Sequence, residues 1–198
     1  MSAPHRLEPL TLRGRLVALE PLTLAHTDEL WPAAEPAQLW EVTSSRVSTK
    51  ADLEHYVHAA LDAAATGLAL PFVTRLVDSG RVVGCTRFAA YEPTHARVEI
   101  GWTFLHPSVH GTGANVEAKL LQFGQAFEGW GLERVELKTD LLNVRSQKAM
   151  ERLGLVREGV LRRHMVVEGG RVRDTVYYSA IRSEWPELRA RLEALLAR

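Results

Sequence analysis

The sequence predicts a mixed α/β (α+β) fold, with a central sheet of about seven strands and helices on both faces. Three observations predict it. The run Arg97 to Leu105 reads as a strand, a helical stretch follows, and Arg134 to Thr139 reads as a strand again, which makes a strand–helix–strand unit. Two glycine turns, Asp78-Ser79-Gly80 and Glu168-Gly169-Gly170, each lie between strand-like runs and carry hairpin chemistry. The chain of 198 residues is 46% hydrophobic, enough for one sizeable core without disulfides. With no Pro/Gly/Ser-rich divider, repeat or low-complexity segment, residues 1–198 read as a single domain.

The elements follow in order. Leu12 to Glu20 is a first strand. Thr23 opens a short helix over Leu24 to Trp31 that Pro32 is expected to end. Residues 32–48 read as irregular loop. Thr49 and Asp52 make a capping-box-like start, and Leu53, Tyr56, Val57, Ala60, Leu61 and Ala64 follow at helical spacing. Leu70 to Val77 and Arg81 to Phe88 form the first hairpin. Val116, Leu120, Phe123, Phe127 and Trp130 stand on one helical face, at spacings of 4, 3, 4 and 3. A helix from Val144 to Leu153 closes on Gly154, and strands Val156 to Val167 and Arg171 to Ile181 form the last hairpin. Ser183 is expected to cap a final helix with Trp185, Leu188, Leu192 and Leu195 on its apolar face. That stripe reads as core or homodimer contact, not as a cofactor site.

Charge and cysteine usage exclude several classes. Lys+Arg and Asp+Glu number 24 each, so the chain lacks the basic excess of a bulk-charge nucleic-acid binder. Cys85 is the single cysteine, which rules out an internal disulfide and a Cys-based zinc site. Met1 to Leu10 has no apolar run of signal-peptide length, and no segment approaches a membrane span. The expectation is a cytoplasmic protein without membrane partners.

The stretch 97–119 is the most informative. An apolar strand runs through Pro107 into His110-Gly111-Thr112-Gly113-Ala114-Asn115 and then directly into a helix. The glycines let backbone N–H groups approach a ligand closely, and the first helical turn leaves its own N–H groups unpaired at the positive end of the dipole. A pyrophosphate fits such a place. The dinucleotide pattern fails, because Glu117 stands near the third glycine slot, and the P-loop ending is missing. A tight turn with a helix cap is the plainer alternative.

Four segments carry a more specific likeness: E-I-G-W-T-F (99–104), H-P-x-x-x-G-T-G (106–113), E-A-K-L-L (117–121) and N-V-R-S-Q-K-A-M-E-R-L-G (143–154). They resemble the GNAT acetyltransferases, and within them the ribosomal-protein alanine N-acetyltransferase-like branch. The element order from residue 11 to about 181 agrees with that fold. The resemblance implies acetyl-CoA as co-substrate, no metal, and an amine acceptor. It places acetyl-CoA on Thr103, Phe104, Leu105, His110, Gly111, Thr112, Gly113, Ala114, Asn115 and Asn143. Two positions depart from the family. His110 stands where Gln or Arg is usual and Asn115 where Gly or Ala is usual, but neither change removes the backbone donors.

Acetyl transfer needs a neutral amine. At pH 7 a lysine-like amine costs roughly 4.6 kcal/mol to deprotonate and an α-amine about 1.4 kcal/mol. The resemblance assigns the base to the strand carrying Glu99. By period-two counting Glu99 shares a face with Gly101 and Thr103. The alternative for this carboxylate is an ion pair with Arg87 or Arg97. Asn143 is a helix N-cap by default, and the resemblance adds a bond to the pantetheine arm. Many relatives carry a Tyr acid where this chain has Met150, so the resemblance passes assistance of the leaving thiolate to Ser146, against the alternative of a plain helical serine.

His106 and His110 lack the partners of a metal site. His164, Asp174 and Tyr177 lie in the final hairpin, near where such a fold borders its acceptor, or they satisfy one another. Cys85 reads as a small buried hydrophobe. The function expected is transfer of an acetyl group to a primary amine, an α-amine of a peptide or protein N-terminus. A small-molecule amine and a non-catalytic acyl-CoA-binding module are the alternatives.

Overall fold

The computed structural model describes residues 6–197. The first part of the Met1 to Leu10 reading therefore lies outside the described residues. In chain order the elements are β1 (Leu12–Arg13), β2 (Val17–Pro21), α1 (Thr27–Ala34), α2 (Lys50–Ala65), β3 (Leu70–Leu76), β4 (Val82–Glu92), β5 (Arg97–Leu105), α3 (Ala114–Gly124), β6 (Arg134–Asp140), α4 (Val144–Leu153), β7 (Val156–Val166), β8 (Val172–Ile181) and α5 (Trp185–Leu196). The described strands form one eight-stranded sheet in the order β1-β2-β3-β4-β5-β6-β8-β7. Neighbours are antiparallel except β5 and β6, which run parallel because α3 crosses between them.

Alternation along the strands divides the apolar residues between two layers. Phe72, Val83 and Leu105 pack with Ala118 and Phe123 of α3, Met150 of α4 and Leu192 of α5. Their sequence neighbours Val73, Val82 and Phe104 pack instead with Leu30 of α1 and Leu53 and Val57 of α2. Helices thus cover both faces, as the sequence predicts. Trp185, Leu188 and Leu192 are buried in the first layer, so the α5 stripe is core.

Three local expectations are corrected. The predicted first strand is two strands, which raises about seven to eight. Gly14 turns the chain, and the Glu117 carboxylate accepts the N–H groups of Arg15, Leu16 and Val17 at 3.0, 2.6 and 2.7 Å. A side chain at Gly14 would collide with that carboxylate. Pro32 does not end α1 but lies inside it. Pro32 and Asp28 are both exposed, so water can satisfy the Asp28 carbonyl that the proline leaves unbonded, while Leu30, Ala33 and Ala34 still bury. Ser183 does not cap α5. It sits inside a 3-10 turn, Arg182–Glu184, where the Glu184 carboxylate accepts the Ile181 N–H at 3.0 Å.

Other signals hold closely. The Thr49/Asp52 capping box starts α2, and Gly154 closes α4 at φ +100°. The helix predicted to run to Trp130 is α3 followed by a π-turn, Gln125–Gly129.

Candidate active site

Pairing between β5 and β6 covers Arg97–Glu99 against Arg134–Glu136 and goes no further. Beyond Glu99 the two strands part, each keeping only its antiparallel partner, β4 or β8. The edge of β5 from Gly101 to Leu105 therefore faces the gap with backbone groups unused by β6.

Glu99 sits where the strands part, 2% exposed, with Lys138 Nζ 2.7 Å from Oε2. The expected partners Arg87 and Arg97 are not the ones it pairs with; Arg97 pairs with Glu136 at 3.4 Å. Burial pushes the Glu99 carboxyl above its ordinary range, and the Lys138 charge acts against that rise. Gly101 is needed here, since a Cβ on it would stand 2.8 Å from Glu99 Oε1.

Period-two counting fails just beyond Gly101. Cys85 pairs with Phe104 and Arg87 with Gly101, three steps on β5 against two on β4, so β5 carries a bulge. Trp102 occupies it at φ +48°, an uncommon angle for a bulky residue. Thr103 is thereby turned to the face opposite Glu99. Its hydroxyl meets Thr86 Oγ1 at 2.7 Å and accepts from Lys119 Nζ at 3.0 Å. Lys119 is 3% exposed, and burial pushes its ammonium down to about 7.

On the Glu99 side the bulge throws the Trp102 indole outward, 37% exposed, with its carbonyl accepting the Tyr56 hydroxyl at 3.2 Å. Arg87 Cζ lies 4.6 Å from the Trp102 ring centre and 5.3 Å from that of Tyr56. These residues line a cleft of about 330 Å3 with Arg46, Asp52, His55 and Glu168. The β7–β8 turn reaches over it, where Glu168 Oε2 accepts the Arg46 N–H at 2.7 Å.

At the other end of β5, Gly111 and Gly113 take φ +79° and +89°, and the first helical bond of α3 runs from Glu117 N to Gly113 O at 2.9 Å. The N–H groups of Asn115 and Val116 precede that bond, so they are free of intrahelical acceptors. The Thr112 hydroxyl donates to the Val109 carbonyl at 2.8 Å. Ala114 is buried in the core, and Asn115 is half-buried. His110 Nε2 is bound to the Leu105 carbonyl at 2.9 Å, which ties the ring back to β5. Phe104 and Leu105 bury their side chains in opposite layers and offer the gap only backbone.

Across the gap, Asn143 caps α4, its Oδ1 accepting the Ser146 N–H at 3.0 Å. Ser146 is half-buried one turn on, and Met150 is buried in the core. His164 and Tyr177 stack edge to face at 5.8 Å, and Asp174 accepts the Arg163 N–H at 2.6 Å, so these hairpin residues do satisfy neighbours. Cys85 is buried, which pushes its thiol up to about 11. Sequence reasoning missed Lys138, Trp102, Tyr56 and Lys119. A lysine two residues beyond the point of parallel register is a signal only once that register is known.

Comparison with known proteins fits this geometry. Residues 16–156 match the acetyltransferase (GNAT) domain, and the chain belongs to that family. A GCN5-related N-acetyltransferase from Brucella melitensis superposes with a TM-score of 0.89 at 31% identity, over 99% of this chain and 89% of that one. The uncharacterized N-acetyltransferase YnaD of Bacillus subtilis (strain 168) is 29% identical over 58% of this chain, and the match spans 65% of the relative's length. Mycobacterium smegmatis RimJ, in complex with CoA-disulfide, shares the fold with a TM-score of 0.75 at 22% identity, covering 98% and 97% of the two chains. No helix among the described residues is long and apolar enough to cross a membrane.

Proposed function

We propose that the protein transfers an acetyl group from acetyl-CoA to a primary amine, an α-amine of a peptide or protein N-terminus, by direct attack within a ternary complex. The observation that carries this reading is the parting of β5 from β6 beyond Glu99, with the glycine loop and α3 N-terminus at its far end. The loop from His110 to Asn115 holds the pyrophosphate through the N–H groups of Gly111, Gly113 and Asn115, since those of His110 and Thr112 donate to the Pro107 and Val109 carbonyls. The β5 edge from Thr103 to Leu105 that β6 does not pair holds the pantetheine arm. Asn143, whose Oδ1 is used by its cap, keeps its amide N–H groups for that arm. His110 shapes the loop, with Nε2 tied to the Leu105 carbonyl and its backbone N–H donating to that of Pro107.

Glu99 accepts the proton of the attacking amine through water. Burial raises its pKa, which makes it a stronger proton acceptor than an ordinary carboxylate, and Lys138 opposes that rise. Ser146 assists the leaving thiolate. With one carboxylate base and no Tyr at position 150, an α-amine, easier by about 3 kcal/mol to deprotonate than a lysine, is the better match. We assign the reaction to the cytoplasm, in keeping with the single unpaired thiol.

The test has two arms. Acetyl-CoA is titrated calorimetrically into the folded protein, and absence of binding at millimolar ligand overturns the cofactor assignment. An Ala- or Ser-starting peptide then competes with an N-blocked, lysine-containing counterpart, with the acetylated position located by mass spectrometry. Preferential lysine modification overturns the α-amine reading, and modification of neither peptide moves the acceptor to small-molecule amines.

A further inference from the structure

We propose that the acceptor carries a carboxylate a few bonds from its amine, and that Arg87 binds it and so sets acceptor specificity. This rests on the acetyl transfer proposed above, with the acceptor amine at Glu99, and takes the cleft lined by Tyr56, Arg87 and Trp102 as the place of the acceptor. Arg87 is only 5% exposed, yet among the described residues its guanidinium has no ion pair, and its buried Nε has no hydrogen-bond partner. A buried cation without a counter-charge is costly, so a site that keeps one is built for an anion that arrives from outside.

The protein's own carboxylates around the cleft are already engaged. Asp52 Oδ2 accepts the N–H groups of Ser48 and Thr49, both at 2.9 Å, and Glu168 Oε2 accepts that of Arg46. Glu99 is held by Lys138. The Tyr56 and Trp102 rings pack against the guanidinium without supplying a counter-charge, and a guanidinium can take a carboxylate in bidentate fashion.

Position relative to the base gives the spacing. Arg87 stands opposite Gly101 in the β4–β5 register, and the Glu99 carboxylate lies over Gly101. Lys138 Nζ and Arg87 Cζ approach the same indole, at 6.0 and 4.6 Å from its centre. The anion subsite and the Glu99–Lys138 pair thus flank Trp102. An acceptor whose amine faces Glu99 and whose carboxylate faces Arg87 spans that interval, roughly one pleat repeat of about 7 Å. A free α-amino acid and a peptide beginning with an acidic residue share this chemistry.

Two matched pairs of acceptors separate these sources: an α-amino acid against its carboxamide, and an Asp-starting peptide amide against the Asn-starting one. In the wild type the carboxylate member of at least one pair is favoured about 10-fold or more in kcat/KM, chiefly through KM. Arg87→Met brings that ratio close to one, and Arg87→Lys restores part of it. The Met variant removes a buried charge at similar volume, so it is expected to fold. A wild-type ratio near one in both pairs, or an equal loss on both members in Arg87→Met, overturns the inference while leaving acetyl transfer intact. If no amine is acetylated, the transfer reading fails. The subsite is then judged by Trp fluorescence, titrating an N-acetyl amino acid and its amide in the presence of CoA. Tighter binding of the carboxylate, lost in Arg87→Met, supports it, and equal binding of the two overturns it.

Discussion

Lys138 Nζ lies 2.7 Å from Oε2 of Glu99, and the register that creates this pair is the one that opens the sheet. Glu99 and Glu136 are the last residues paired between β5 and β6, and Lys138 is the next residue on the same face of β6. The base and its counter-charge therefore stand at the mouth of the gap, where one strand edge is still covered and the other is free. Burial raises the Glu99 pKa and Lys138 holds it in check, so the balance between them sets its usefulness as a base.

Replacing Lys138 by Met removes the restraint and leaves the burial. The acidic limb of the kcat/KM–pH profile, which reports ionisation of the free enzyme's base, is expected to move to higher pH. Glu99→Gln is expected to lower turnover, with the deficit shrinking as pH rises and the amine loses its own proton. An unshifted limb in Lys138→Met would assign the limb to another group.

Lys119 offers a stability test. Its ammonium is buried against Thr86, Thr103 and Gln122 with no carboxylate, and its pKa is pushed down to about 7. Between that value and its unfolded value of about 10.4, the unfolded chain binds more protons than the folded one, so stability rises with pH through this window. Below pH 7 the buried charge is a fixed penalty with a ceiling of about 5 kcal/mol. Lys119→Met should raise Tm at pH 6 to 7, with the advantage over wild type fading toward pH 10. A constant difference at all pH values would contradict the assignment.

The two loop glycines should separate backbone strain from crowding. Both hold positive φ, so alanine at either costs about 1–2 kcal/mol in the left-handed region. Gly111 faces open space, whereas a Cβ on Gly113 would meet Leu16 Cδ1 at 3.1 Å and Leu196 Cδ2 at 3.3 Å. Gly113→Ala is therefore expected to destabilise more than Gly111→Ala in chemical denaturation, and both to weaken acetyl-CoA binding. Equal acetyl-CoA affinity in both variants and wild type would move the pyrophosphate away from this loop.

What the sequence discloses here is local. Capping at Thr49, the Asp78-Ser79-Gly80 turn and the C-cap at Gly154 are each decided within a few residues, and each is found where the pattern puts it. The glycine loop and the Asn143 cap belong to the same class. The Glu99–Lys138 pair does not, because it depends on a parallel register between strands 30 or more residues apart. Thr103 is misplaced by counting for a related reason: one extra residue in β5, at Trp102, reverses every face after it. Glu117 reads in sequence only as a missing glycine. Its three backbone partners lie about 100 residues away, in a turn that tertiary contact creates.

Asn143 and Ser146 occupy the first turn of α4, and their roles should be separable. Asn143→Ala removes the cap that accepts the Ser146 N–H and is expected to cost about 1 kcal/mol of stability. Through loss of its amide N–H groups it should also weaken acetyl-CoA binding, visible in calorimetry. Ser146→Ala keeps the cap, since the bond uses the Ser146 backbone and not its hydroxyl. Its stability and acetyl-CoA affinity should stay near wild type, while turnover falls about 10- to 100-fold if the hydroxyl assists the departing thiolate. The two sites share a cap, so the double variant need not equal the sum of the singles. Wild-type turnover in Ser146→Ala would leave the thiolate without help from α4, because Met150, one turn further on, is buried and has no proton to give.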